Sequence, residues 1–281
     1  MPAADRNARP AAPEVALGID VGGTKIAAGL VDTATGAVLE RRRVPTRPER
    51  GGAAVLEDCA ALATELGGGR LAVGIGLCEL VDLDGRPASA DTIDWRDLDV
   101  AGTIVAPSVV VESDVRAAAL AEVRFGAGDG VSPFLFVVVG TGASACLVVD
   151  GTPYRGFRGE AMVLGAPPVE RVASGPALAL AAGVERAEDV LADGANAALL
   201  ESAAEALAAT LAVLVNALDP ALVVLSGGLG REPAFRELVA SELQARVAYP
   251  RTPPLPVVSS RLGADGGLVG AALVAAAAGS S

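Results

Sequence analysis

The hydrophobic pattern changes period several times along the chain. Residues 15–20 and 25–31 are almost wholly apolar and are joined by a Gly-Gly-Thr turn, while 32–36, rich in Asp, Thr and Gly, leads into 37–44. This stretch predicts an antiparallel meander of three strands. From Val55 the spacing switches, with Val55, Leu56, Cys59, Leu62, Ala63 and Leu66 recurring every three or four residues. That predicts an amphipathic helix, stopped by the glycines at 67–69. Residues 71–77 then read as a buried strand.

The second half repeats this order. Residues 134–139 are a continuous β-branched and aromatic run, Gly140-Thr141-Gly142 follows, residues 145–149 return, and Asp150-Gly151 marks a hairpin. Two copies of strand, Gly/Thr turn, strand, Asp/Gly turn, strand imply an internal duplication with two similar sheets facing each other. Helices are expected over 114–124, over 196–218 with Leu199, Leu200, Ala203, Leu207, Leu211, Leu214 and Val215 on one face, over 233–247, and after Asp265. A buried strand at 222–225 ends in Ser226-Gly227-Gly228. Strands alternating with helices specify an α/β fold. Trp95 reads as a core or cleft-edge anchor.

Composition narrows the chemistry. The 281 residues contain no histidine, which removes Ser-His-Asp and Cys-His hydrolysis, His-ligated zinc and histidine pH switches. Proton transfer must then use carboxylate, lysine, tyrosine, thiol or water. The net charge of −12 disfavours a nucleic-acid partner, and the basic run at 40–43 with Arg47 and Arg50 reads as a solvated strand end. Cys59, Cys78 and Cys146 have no paired spacing, so reduced thiols and a cytoplasmic location are expected. Residues 1–13 are expected to be a loose tail, not a signal peptide. The apolar stretch 268–278 is too short to span a bilayer, so no membrane is expected.

Three glycine turns stand at strand ends: Asp20-Val21-Gly22-Gly23-Thr24-Lys25, Gly140-Thr141-Gly142 and Gly227-Gly228. Such turns bring backbone N–H groups close to an anion, and Thr and Lys add donors for phosphate oxygens, yet each alone is also ordinary strand linkage. Asp20 sharpens the reading. A carboxylate at the end of an apolar strand needs a cation, either Mg²⁺ on a nucleotide or Lys25. No G-x-x-x-x-G-K-[ST] loop is present, so the nucleotide would lie between hairpin turns of another fold. Ser113 or Asp114 is suited to cap the helix that follows, and Asp114 is equally suited to take a proton from a hydroxyl attacking a γ-phosphate.

Taken together and in order, these segments resemble the ROK family of repressors, open reading frames and sugar kinases. The resemblance is carried by Gly18 through Lys25, Glu112-Ser113-Asp114 before the run Ala117 to Glu122, Gly140-Thr141-Gly142, Gly159-Glu160, Glu170 before Ala173-Ser174-Gly175, Asn216 through Pro220, and Leu262-Gly263-Ala264-Asp265. It covers residues 14–278 and implies an actin-like ATPase fold, two RNase H-like α/β domains around a cleft, at 14–113 with 265–281 and at 114–264. It implies an ATP- and Mg²⁺-dependent kinase acting on a hydroxyl of a sugar, aminosugar or cyclitol, in a homodimer. Asp20, Gly22, Gly23, Thr24 and Lys25 would form the first phosphate loop, with Asp20 meeting Mg²⁺ through the nucleotide. Gly140, Thr141 and Gly142 would form the second loop, and Gly227 and Gly228 would lie by the adenosine. Asp114 would be the base, and Ser113, Asp114, Glu160 and Glu170 would contact the sugar.

The departures from the family pattern concern the substrate side. Ser113 stands where Asn is usual, Ser144 where a third Gly is usual, and Val163 where a histidine binds metal and sugar in relatives. The Cys-rich zinc loop before Glu170 is missing, so no zinc site is expected. Gly76-Leu77-Cys78-Glu79 replaces a Pro-Gly segment, and Asp91 lies near a usual sugar-contacting Asn. Glu79 and Asp91 would add carboxylates to a pocket suited to an amine-bearing substrate. The competing expectation is a ligand sensor without turnover, against which the retained Asp20, Thr24, Lys25, Thr141 and Asp114 weigh. A DNA-binding repressor is disfavoured because no helix-turn-helix precedes residue 14 and the charge is acidic.

Overall fold

Alternating burial along β1 (Val15–Val21) sets the first half: Leu17, Ile19 and Val21 face one core while Ala16 faces another. The computed structural model describes residues 14–161, 167–185, 189–190, 196–249 and 252–279. β2 (Lys25–Asp32) and β3 (Val38–Pro45) complete an antiparallel meander, and β4 (Val73–Leu77) and β5 (Val109–Ser113) join parallel to β1, in the order β3-β2-β1-β4-β5. α1 (Gly52–Glu65) lays Val55, Leu56, Cys59, Leu62 and Ala63 on one face of this sheet, with Trp95 buried in the same core. A short α2 (Val100–Thr103), capped by Asp99, precedes β5, and α3 (Asp114–Phe125) follows it.

The second sheet has the same plan. β6 (Phe134–Val139), β7 (Ala143–Val149) and β8 (Thr152–Pro153) form the meander, and β9 (Leu222–Ser226) and β10 (Val257–Ser259) add parallel, in the order β10-β9-β6-β7-β8. The mirrored order bears out the internal duplication. β8 is only two residues long, shorter than its counterpart β3. α4 (Pro167–Ala173), α5 (Gly175–Ala182), α6 (Ala197–Leu218), the single turn α7 (Gly227–Gly230) and α8 (Pro233–Arg246) follow, and α9 (Gly266–Gly279) ends the fold. By length and composition α6 could cross a membrane, which the sequence reading missed, but Ala203, Leu207, Leu211 and Val215 are buried in the second sheet's core with α8. Val257–Ser259 and α2 were likewise not anticipated, being short and without a clear period.

α3 and α9 lie between the sheets. Val115, Ala118 and Ala119 of α3 pack on Phe134, Phe136, Cys146 and Val148 of the second sheet, while Leu268, Val269 and Ala272 of α9 pack on Ala16 and Val31 of the first. The two helices touch backbone to backbone, since a Cβ on Gly270 would overlap the Ala117 carbonyl. Gly74 serves the same close approach, where a Cβ would overlap the Ala271 carbonyl. The basic run on β3 is paired, not merely solvated: Arg41 meets Asp265 at 2.6 Å and Arg42 meets Glu65 at 2.5 Å.

Candidate active site

Parallel pairing aligns the chemistry. Asp20 is opposite Gly76, and Gly76 is opposite Glu112, so the ends of β1, β4 and β5 bring Asp20 and Asp114 to one edge of the first sheet. Of the two expected caps, Ser113 is the one used: it is fully buried and its Oγ accepts from the Arg116 N–H at 3.4 Å. The expectation that Ser113 contacts a sugar therefore meets a hydroxyl turned into the helix end. Asp114 begins α3, half-buried, with Oδ1 accepting from the Val115 N–H at 2.7 Å. Burial, then the Asp20 carboxylate, and more weakly Glu79, push its carboxyl up to about 8. Burial also raises Asp20, to about 6, although Lys25 and Arg43 act against the rise.

The Asp20 carboxyl group has no hydrogen bond or ion pair among the described residues and lies against Gly267 near the start of α9. The Lys25 alternative is thus not realised as a contact, and Lys25 is exposed. The first turn is closed by the Gly22 N–H donating to the Lys25 carbonyl at 3.0 Å and braced by Thr46 Oγ1 donating to the Gly22 carbonyl at 2.6 Å. This leaves Thr24 exposed and Gly23 against Thr92.

The second turn, Gly140-Thr141-Gly142, is held by the Gly140 N–H to the Gly142 carbonyl at 2.9 Å and by the Gly175 N–H to the Gly140 carbonyl at 2.7 Å. Thr141 is exposed. The third turn adjoins it: Gly228 N is 3.9 Å from the place a Gly140 Cβ would take. At Gly227 the backbone has φ 83°, a left-handed conformation suited to glycine, and its Cα packs on β6.

The substrate-side carboxylates fare differently. Glu79 corrects the expectation of a ligand contact. It is 2% exposed, and its carboxylate accepts from Ser89 Oγ, from the Asp91 N–H at 3.0 Å, from the Thr92 N–H at 2.6 Å and from the Ile93 N–H at 2.9 Å. Four donors fill the acceptor positions of a carboxylate, so Glu79 holds the 89–93 loop and leaves nothing for an ammonium. Asp91 is carried on that loop with its side chain exposed. Glu170 accepts from the Ala143 N–H at 3.0 Å, beside the Gly140-Thr141-Gly142 turn. Glu160 pairs with Arg158 at 2.8 Å, an exposed contact of small energetic weight. Val163, with the rest of 162–166, lies outside the described residues. Sequence reasoning missed Thr46, Gly267 and Arg116; Arg116 lies four residues after Glu112, but Glu112 is on β5, so the helical i, i+4 rule gave no signal for the pair.

The sequence profile of the ROK family matches residues 16–177 and 168–278. The chain belongs to the ROK family. Its fold is that of ROK sugar kinases, the actin-like ATPase fold. This ROK protein is 32% identical to a glucokinase of Streptomyces coelicolor over 91% of its length and 96% of the relative's. It is 31% identical to the bifunctional enzyme NanE/NanK of Brucella melitensis over 98% of its own length and 56% of that protein's. Among solved structures, a ROK family glucokinase from Streptomyces griseus in complex with glucose and AMPPNP superposes with a TM-score of 0.80 at 28% identity, covering 94% of this chain and 99% of that one. A ROK family transcriptional regulator shares the fold, at 20% identity and a TM-score of 0.73 over 94% of this chain and 78% of its own.

Proposed function

We propose that this ROK protein is an ATP- and Mg²⁺-dependent kinase that phosphorylates a hydroxyl of a sugar, aminosugar or sugar-like cyclitol. The observation that carries the reading is Asp114. Its carboxyl group stands half-buried at the start of α3, beside Asp20, with its pKa raised to about 8. At about 8 the carboxyl holds its proton at neutral pH in the nucleotide-free chain, and a metal-bound nucleotide beside it would lower the pKa and free the carboxylate to accept a proton.

The residues fit a metal-bound nucleotide. Asp20 is a carboxylate without a partner among the described residues, and each of the two aspartates gains from a nearby cation. Thr24, Lys25 and Thr141 offer exposed donors at the glycine turns, and Gly227 and Gly228 border the second turn where the adenosine would lie. Mg²⁺ would be met by Asp20 through the nucleotide, and it supplies charge neutralisation for the phosphoryl oxygens. Asp114 accepts the proton of the attacking hydroxyl. Closure of the two halves, 14–113 with 265–281 and 114–264, excludes water so that transfer outcompetes hydrolysis. With Glu79 committed to its loop, recognition of the substrate rests on Asp91, Glu160 and Glu170, and any preference for an amine falls to these three.

The reading is supported by the glucokinase and NanE/NanK relatives and by the AMPPNP-bound neighbour. It extends to a cytoplasmic homodimer without stoichiometric zinc. A coupled ADP-release screen over hexoses, aminosugars, N-acetylated sugars and cyclitols tests it. Sugar-dependent ADP release is the expected result; sugar binding by calorimetry with no release from any acceptor would instead make the protein a sensor.

A further inference from the structure

We propose that Arg116 is a positioning residue that locks the loop bearing Glu160 and the segment leading out of the Glu79 clamp to the junction of β5 and α3 that bears Asp114. The inference rests on the kinase reading and adds a specificity-determining residue to it. Arg116 is 1% exposed, although it is an arginine in the first turn of an Ala-rich helix. Its Nε donates to Glu112 Oε1 at 2.7 Å, one terminal nitrogen donates to the Val81 carbonyl at 2.7 Å, and the other donates to the Gly159 carbonyl.

These partners come from different parts of the chain. Val81 is 35 residues away in sequence and Gly159 is 43. An i, i+4 ion pair on a helix surface would need neither carbonyl, and its contribution would be small. A buried guanidinium is different, because removing it leaves the Val81 and Gly159 carbonyls without this donor and Glu112 without its buried cation.

Each end of the tie reaches a candidate substrate contact. Gly159 directly precedes Glu160, and it is seated on the other loop: with φ 83°, a Cβ there would lie 2.6 Å from the Asp82 carbonyl carbon. Arg155 adds a second strap, its Nε 3.3 Å from Glu112 Oε2 and its terminal nitrogen donating to the Asp82 carbonyl at 3.2 Å. Val81 and Asp82 continue from Leu80, whose N–H donates to Ser89 Oγ at 3.0 Å, the hydroxyl that also serves Glu79. Glu112 Oε1 accepts from the Ser113 N–H at 2.8 Å, one residue before Asp114. The fork of an arginine is what lets one side chain serve Glu112, Val81 and Gly159 together; a lysine presents a single point charge and cannot hold that geometry.

The test compares the wild-type chain with Arg116→Lys and with Arg155→Gln, the latter at a half-exposed side chain where folding is not at stake. Arg116→Lys is expected to raise the KM for the sugar by about 10-fold or more while the KM for ATP stays within about twofold, since the hydrogen bonds of Arg116 and Arg155 go to Glu112, Val81, Asp82 and Gly159 and to none of the three glycine turns. Arg155→Gln is expected to move the same parameter in the same direction by less. Hydrogen exchange is expected to quicken at residues 158–161 in both variants and to stay unchanged in α6. An unchanged sugar KM in folded Arg116→Lys overturns the proposal, as does a parallel rise of both KM values. If the wild-type chain turns over no sugar, the kinase reading falls separately, and unaltered exchange at 158–161 in both variants then overturns the tie.

Discussion

The carboxyl group of Asp20 rests against Gly267: a Cβ on that glycine would lie 2.6 Å from the carboxyl carbon. The end of β1 and the first turn of α9 therefore share one space, and only a residue without a side chain leaves room for Asp20. Gly267→Ala is expected to push the carboxylate from its place and to weaken MgATP binding by about 10-fold or more, at a modest cost in stability because Asp20 is only half-buried and its carboxyl group can give way. Titration calorimetry checks this; wild-type affinity in Gly267→Ala would remove Asp20 from the nucleotide site.

The raised carboxyls of Asp20 and Asp114 also set a pH dependence of stability. Both pKa values lie above the unfolded value near 4, at about 6 and about 8 in the folded chain, so the folded state holds its protons longer. Stability of the nucleotide-free protein is then greatest at the acid end of that window and is lost as pH rises through 6 and 8. In Asp114→Asn the upper part of the loss disappears, and at pH 8.5 the variant is expected to melt at least about 2 °C above wild type. Thermal melts from pH 5 to 8.5 measure it; parallel curves for the two proteins would contradict the shift.

Glu79 offers a sharp contrast between a clamp and a pocket carboxylate. Glu79→Gln presents an amide NH₂ to donors that need an acceptor, so at least one of Asp91 N–H, Thr92 N–H, Ile93 N–H or Ser89 Oγ loses its partner. The expected cost is about 1–3 kcal/mol of stability. The sugar KM is expected to rise by the same factor for neutral and amine-bearing acceptors, because the effect passes through the loop that carries Asp91. A selective loss of amine substrates would restore Glu79 to the pocket.

Much of this was legible in the sequence. The repeated strand–turn–strand order announced two sheets of one topology because short apolar runs bounded by Gly, Thr and Asp turns recur in the same order in both halves. The helix from Asp114 was legible from Ser113, since a serine before an Ala-rich run has one dominant local use. Glu79 was misjudged because its partners are backbone N–H groups at 91–93, which no side-chain pattern advertises. Gly267 and Thr46 were invisible for a related reason: their roles lie in a close approach and a single hydroxyl bond that only the folded chain brings together. Arg116 gave no local sign, because Glu112 precedes its helix and its carbonyl partners at Val81 and Gly159 are distant in sequence. Charge alone read the β3 arginines as solvated, whereas Asp265, far along the chain, pairs with Arg41.

Transfer of a labelled γ-phosphate from ATP to an accepted sugar, measured in a single turnover for wild type and for Asp114→Asn alongside ATP binding to each, tests the central claim most directly. Asp114→Asn is expected to lose about 10²-fold or more in the transfer rate while binding ATP nearly as well as wild type. Undiminished transfer in Asp114→Asn would contradict it.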